Sequence, residues 1–127
     1  MSGLRSYEAV GSYSALSEAS PHRVTQVMLE TLATRIAEAS GHMQRGEMGE
    51  KGEKIGKALA LVEGLVLSLD PDGGGEIAAN LQRLYEYISG VLLQANLENR
   101  VDYLGEAAAL VNEIKAGWDG IAGAEAR

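Results

Sequence analysis

The chain has 127 residues, 46% of them hydrophobic and 23% charged, with two prolines and no cysteine, the size of one domain around one core. Without cysteine there is no disulfide, thiolate metal site or cysteine nucleophile. The formal charge of −7 argues against nucleic acid and anionic lipid, which are bound through clustered Lys and Arg.

The N-terminal segment, residues 1–19, is small and polar, with Tyr7, Val10, Tyr13 and Leu16 threaded through it at spacings of three. It is expected to be a frayed tail, or a cap that docks in short turns or one short helix. It contains no apolar core of a secretory signal. No run of about 18 apolar residues follows to span a membrane. A cytoplasmic protein without membrane insertion is the expectation.

Ser20-Pro21 predicts the start of a first helix, because Ser caps well and Pro at the first helical position loses no needed N–H. Leu29, Leu32, Ile36, Ala39 and Met43 then form one apolar stripe, which Val24 and Met28 widen. Gly46 and Gly49 mark its exit. A second helix is expected from about Glu50 to Leu69, burying Ile55, Leu59, Val62, Val66 and Leu69. Glu47/Lys51, Glu50/Lys54 and Glu53/Lys57 have the favourable Glu-before-Lys order for surface pairs. Asp70-Pro71-Asp72-Gly73-Gly74-Gly75 reads as a flexible turn. A third helix, about Glu76 to Asn96, carries Ile77, Leu81, Leu84, Ile88, Val91 and Ala95, flanked by Tyr85 and Leu92. After the polar break around Asn96, Glu98, Asn99 and Arg100, a fourth carries Leu104, Ala107, Val111, Ile114, Trp118 and Ile121. Four helices of about 20 residues, each about 30 Å long, joined by short loops, predict an all-α, antiparallel four-helix bundle. The expected organisation is an N-terminal capping segment (1–19), a bundle (20–123) and a short tail (124–127). The helical glycines are expected to mark close helix contacts and local softness.

Catalytic and metal chemistry is not visible in the pattern. His22 and His42 have no surrounding ligand spacing beyond Glu38/His42, far short of the repeated Glu-x-x-His of di-iron bundles. A histidine phosphotransfer bundle is the alternative function, but neither histidine is followed by the Lys and small residues which that role calls for. The Gly run has too few oxygen ligands for a calcium loop and lacks the Lys-Ser/Thr of a P-loop. The expectation is a non-enzyme without metal or cofactor. What remains is surface: helix 3, widened by Tyr85, Leu92, Leu93 and Leu97, carries more apolar area than its neighbours need. This predicts a groove for an amphipathic partner, which Tyr7, Val10, Tyr13 and Leu16 would fill in the free protein.

These residues resemble the flagellar export chaperone family, FliS. The resemblance rests on Ala19-Ser20-Pro21-His22, on Lys51-Gly52-Glu53 with Lys57-Ala58, and on Gly74-Gly75-Glu76-Ile77-Ala78-Ala79-Asn80-Leu81. It continues through Leu84-Tyr85-Glu86-Tyr87-Ile88, Leu92-Leu93-Gln94-Ala95-Asn96-Leu97-Glu98-Asn99 and Gly117-Trp118-Asp119-Gly120-Ile121. It implies a bundle that binds the C-terminal segment of flagellin, prevents premature polymerisation and delivers the subunit to the flagellar type III export apparatus. An export-gate component and regulatory proteins are further implied partners, and the free state is a monomer or weak homodimer. Position by position, it points to Tyr7, Val10, Met28, Ile77, Asn80, Leu81, Leu84, Tyr85, Ile88, Leu92 and Asn96 as flagellin contacts. Two departures stand out. Met28-Leu29-Glu30-Thr31-Leu32 replaces smaller residues, so Thr31 and Leu32 are expected to narrow a groove, and Ser89-Gly90 replaces a basic pair.

Overall fold

A computed structural model describes residues 20–121. Four helices follow in order: α1 (Pro21–Gln44), α2 (Met48–Leu67), α3 (Pro71–Glu98) and α4 (Val101–Gly120). The Ser20 cap and the break at Asn99 act where the residues place them, whereas Gly49 lies inside α2. Ser20 Oγ accepts from Arg23 N–H at 3.2 Å, satisfying a donor the first helical turn leaves open. Asn99 closes α3 in the left-handed region, with φ 54° and ψ 48°, a conformation Asn tolerates. The Gly run is not a free turn. Asp70 Oδ1 accepts from the N–H groups of Asp72 and Gly73 and starts one turn of helix at Pro71. That turn kinks at Gly75, whose φ of 53° and ψ of −130° suit only a residue without Cβ.

α1 packs against α2 and α4, and α3 against the same two, which closes a ring of four. The core they enclose includes Leu29, Leu32 and Ile36 from α1 and Ile55, Val62 and Leu65 from α2. α3 adds Tyr85, Ile88 and Leu92, and α4 adds Leu104 and Val111. Antiparallel pairing is pinned at both ends. At one, Trp118 Nε1 donates to the His22 carbonyl at 2.9 Å, and the two rings stack at 4.9 Å. Beside them Gln26 Nε2 donates to Asp119 Oδ1 at 2.6 Å and Lys115 Nζ to Asp119 Oδ2 at 2.8 Å. These donors hold the Asp119 carboxyl below the usual carboxylate range, Lys115 contributing most. At the other end, Lys51 is buried and its Nζ donates to Asn96 O at 3.1 Å and Asn96 Oδ1 at 2.8 Å. The ammonium thus sits on the carbonyl-rich end of α3, where a cation is favoured.

Several expected details change. α2 buries Ile55, Ala58, Val62 and Leu65, so Leu59, Val66 and Leu69 sit at the edge of the core. α3 buries Ala78, Tyr85, Ile88 and Leu92 and leaves Ile77 72% and Leu84 39% exposed. In both helices a small Ala is buried while the larger residue beside it is less so. Of the three Glu/Lys pairs, Glu53–Lys57 forms; Lys51 is drawn to Asn96, and Lys54 to Glu38 on α1. His42 pairs through Nδ1 with Glu47 at 2.7 Å, whereas Glu38 takes Arg35 at 2.6 Å. The close-contact reading of the helical glycines holds at Gly64, where a Cβ would lie 2.9 Å from Met28 Cε, but Gly52, Gly56, Gly90, Gly105 and Gly117 face open space.

Candidate partner-binding groove

The outward rotation of α3 creates the most distinctive surface of the bundle. Ile77, Leu81 and Leu84 recur at 4 and 3 on the flank facing α4, and α4 answers with Leu110, Ile114 and Trp118 at 4 and 4. Side chains at these spacings share a helix face. Together with Glu113 and Gly117 they line a depression of about 320 Å³. Ile77, Leu81 and Trp118 also line a second cavity of about 190 Å³, whose other walls are Thr25, Ser68, Leu69, Asp70, Gly74, Ala78 and Tyr85. The two cavities therefore share Ile77, Leu81 and the single Trp as walls. Burial in this wall pushes the Tyr85 hydroxyl up to about 12.

Further along the α3/α4 seam, Tyr87, Gly90, Val91, Gln94, Tyr103 and Glu106 line another hollow of about 300 Å³. Tyr87 is 54% exposed and its hydroxyl donates to Glu106 Oε1 at 2.6 Å, a bond that raises the Tyr87 pKa. From Ile77 to Gln94 the seam is about 26 Å long at helical rise, the length of a helix of about 17 residues. On the other flank of α3, a hollow of about 260 Å³ lies against Val66, Leu67, Leu69, Gly75, Ala78, Ala79 and Gln82. Large apolar side chains left outside the core, including Ile77, Tyr87, Leu93 and Leu97, are most numerous on α3, with Leu93 and Leu97 on the side away from Ile77.

No group of three or more His, Asp or Glu side chains converges to hold a metal among the described residues, and none of their helices is long and apolar enough to cross a membrane. His22 is 5% exposed with both ring nitrogens buried, and His42 Nδ1 is engaged by Glu47. Neither presents the open mid-helix imidazole that a phosphoryl donor must reach.

Residues 3–125 match the family described as Flagellar protein FliS. The chain belongs to the FliS family. It is 43% identical over 121 residues to the flagellar secretion chaperone FliSB of Pseudomonas aeruginosa, covering 95% of this chain and 96% of that protein. It is 36% identical over 118 residues to the flagellar secretion chaperones FliS of Vibrio cholerae and of Salmonella typhimurium. Those matches cover 93% and 92% of this chain and 87% of each relative.

Within this FliS bundle the eleven expected contact residues fall into separate places. Tyr7 and Val10, with the rest of residues 1–19 and the capping role expected of them, lie outside the described residues. Ile77, Leu81 and Leu84 meet in the α3/α4 groove, and Asn80 is exposed on the same helix, accepting from Arg83. Tyr85, Ile88 and Leu92 are at most 1% exposed: they form the inward stripe of α3, and Tyr85 also walls the smaller cavity. Met28 packs at the α1/α2 contact against Gly64, and Asn96 is held by Lys51. Leu32 is buried and the half-buried Thr31 donates its hydroxyl to the Val27 carbonyl; neither lines the α3/α4 groove. Leu110 and Ile114 are groove residues that helix 3 alone does not reveal. Their signal is the 110–114–118 register on helix 4, read against Ile77, Leu81 and Leu84.

Proposed function

We propose that this chain is a flagellar export chaperone, a cytoplasmic non-enzyme that binds the C-terminal segment of flagellin, prevents its premature polymerisation and delivers it to the flagellar type III export apparatus. One observation carries the reading: on a FliS-family bundle, an apolar trough between α3 and α4 is lined by Ile77, Leu81, Leu84, Leu110, Ile114 and Trp118, on a seam that runs about 26 Å from Ile77 to Gln94. An amphipathic helix laid there buries its apolar face at about 25 cal/mol per Å². That gain must exceed the cost of ordering a tail that is disordered when free, which favours a long, wrapped interface over a short one. If residues 1–19 compete for this surface in the free chain, their displacement lowers the apparent affinity by the fraction of chains in which the groove is open.

The test is titration of the full chain with the C-terminal segment of the cognate flagellin, followed by calorimetry and by Trp118 fluorescence. Trp118 is the sole tryptophan and lines both cavities, so an occupied groove changes its emission. A one-to-one complex at micromolar concentration with a Trp118 response supports the proposal. Absence of a complex at that concentration overturns it. Removing residues 1–18 should leave the bundle folded and tighten the tail; collapse of thermal unfolding would make that segment core instead of cap.

A further inference from the structure

The far end of the α3/α4 seam differs in chemistry from the apolar trough at Trp118. The hollow of about 300 Å³ there has aromatic walls, Tyr87 and Tyr103, and a carboxylate, Glu106, at its edge. Its α3 side includes Gly90, and a Cβ at Gly90 would meet no heavy atom within 4 Å. The hollow therefore has room for a side chain at this position, and a Gly there in mid-helix costs about 1 kcal/mol relative to Ala. The charges around it are accounted for. Arg100 lies over the Tyr103 ring, 4.7 Å from its centroid, but its guanidinium is paired with both Asp102 oxygens at 2.8 and 2.6 Å. Gln94 donates to Glu98. Glu106 accepts only from the neutral Tyr87 hydroxyl among the described residues, so its charge is matched by no cation.

Tyrosine rings attract cations over their faces, and a carboxylate next to them completes a site for a guanidinium or ammonium. We infer that this hollow receives a basic side chain, Arg or Lys, from the helix that fills the groove, its cation set between the Tyr87 ring and the Glu106 carboxylate. The apolar trough at Ile77, Leu81 and Trp118 supplies affinity, and the Tyr87–Gly90–Glu106 hollow fixes the register and direction in which the partner helix lies. The inference rests on the proposed binding of the flagellin segment and adds a specificity element to it. The seven-residue step from Glu106 to Glu113, which lines the trough, puts a second carboxylate on the same rim two turns away. A partner with basic residues spaced by seven meets both.

Three variants of the full chain and one series of partners test this. Glu106→Gln keeps shape and removes charge; it should weaken the flagellin C-terminal segment about fivefold at low ionic strength and much less at high salt, as expected for a rim charge pair. Gly90→Leu fills the hollow and should weaken binding about tenfold, the scale of one displaced anchor. Gly90→Ala rigidifies the helix equally but leaves most of the space, and should bind as the native chain does. In the partner series each Lys and Arg of the segment is replaced singly by Gln. One replacement should lose as much as Glu106→Gln and lose nothing further against that variant. If the native segment binds but Glu106→Gln and Gly90→Leu leave its affinity unchanged, the hollow is not a subsite and this inference is overturned while the chaperone reading stands. Equal losses for Gly90→Ala and Gly90→Leu would also overturn it, since helix stiffness and not space would then be the cause. If the native segment fails to bind at all, the chaperone reading itself falls.

Discussion

Lys51 is the buried cation of the bundle, and its removal has a calculable consequence. Its stem crosses the α2/α3 seam at 7% exposure, and its Nζ donates to both the carbonyl and the side-chain oxygen of Asn96. Lys51→Met preserves most of the stem and deletes both bonds. A hydrogen bond from a charged donor contributes about 1.5–3 kcal/mol. Asn96 is half-buried, so water regains part of what it loses, and Met escapes the desolvation of an ammonium. The net loss expected is about 2 kcal/mol, or a fall in Tm of about 8 °C for a domain of this size. Far-UV circular dichroism during heating and urea titration reads it directly. Asn96→Ala removes only the side-chain acceptor and should lose about 1 kcal/mol. The double variant should fall short of the sum of the two, because both touch one bond. A Tm within about 2 °C of the native chain, or strict additivity with Asn96→Ala, would refute the reasoning. It would also return Asn96 from a helix-pinning role to the set of free surface residues.

Gly56 sits in α2 with nothing near its missing Cβ, so Gly56→Ala should stabilise the bundle by about 1 kcal/mol and raise Tm, with flagellin-segment affinity unchanged. Ile77→Asp should leave thermal stability within about 0.5 kcal/mol of native, since the side chain is 72% exposed and such surface changes are small. It should nevertheless abolish capture of the flagellin segment, read by calorimetry on the folded variant. Glu38, Glu47, Asp102 and Asp119 are all held below their ordinary values, mainly by bonds from Arg35, His42, Arg100 and Lys115 respectively. A lowered folded pKa gives stability that is complete above the unfolded value and is lost as pH drops through the folded one. Tm should therefore stay level down to about pH 4.5 and fall below it. Asp119→Asn should shallow that fall; an acid limb identical to native would remove Asp119 from the linkage.

Four helices and their order were legible in local chemistry: Ser20-Pro21 starts α1 and the polar break at Asn99 ends α3, because capping depends on a few adjacent residues. The start of α3 was not, since Asp70 to Gly75 reads as a turn while Asp70 in fact caps a helix that begins at Pro71. The rotation of α2 and α3 was not. Around Ala58-Leu59 and Ile77-Ala78, apolar residues are adjacent, so the 3.6-residue period supports two stripes about 100° apart. Choosing the larger residue for the inside assumes that each helix buries its bulk within its own chain. The packed bundle decides otherwise: Ala58 and Ala78 are buried, and the larger residues beside them are not. The displaced bulk has different fates. Leu59 remains packed at the edge of the core, whereas Ile77 is exposed and lines the groove with Leu110, Ile114 and Trp118. An alanine inside beside an isoleucine outside spends apolar area where one chain alone gains nothing from it. It gains only if a second helix covers that face. On α3, the place where the periodicity misjudged the core is thus the place where the proposed binding groove lies.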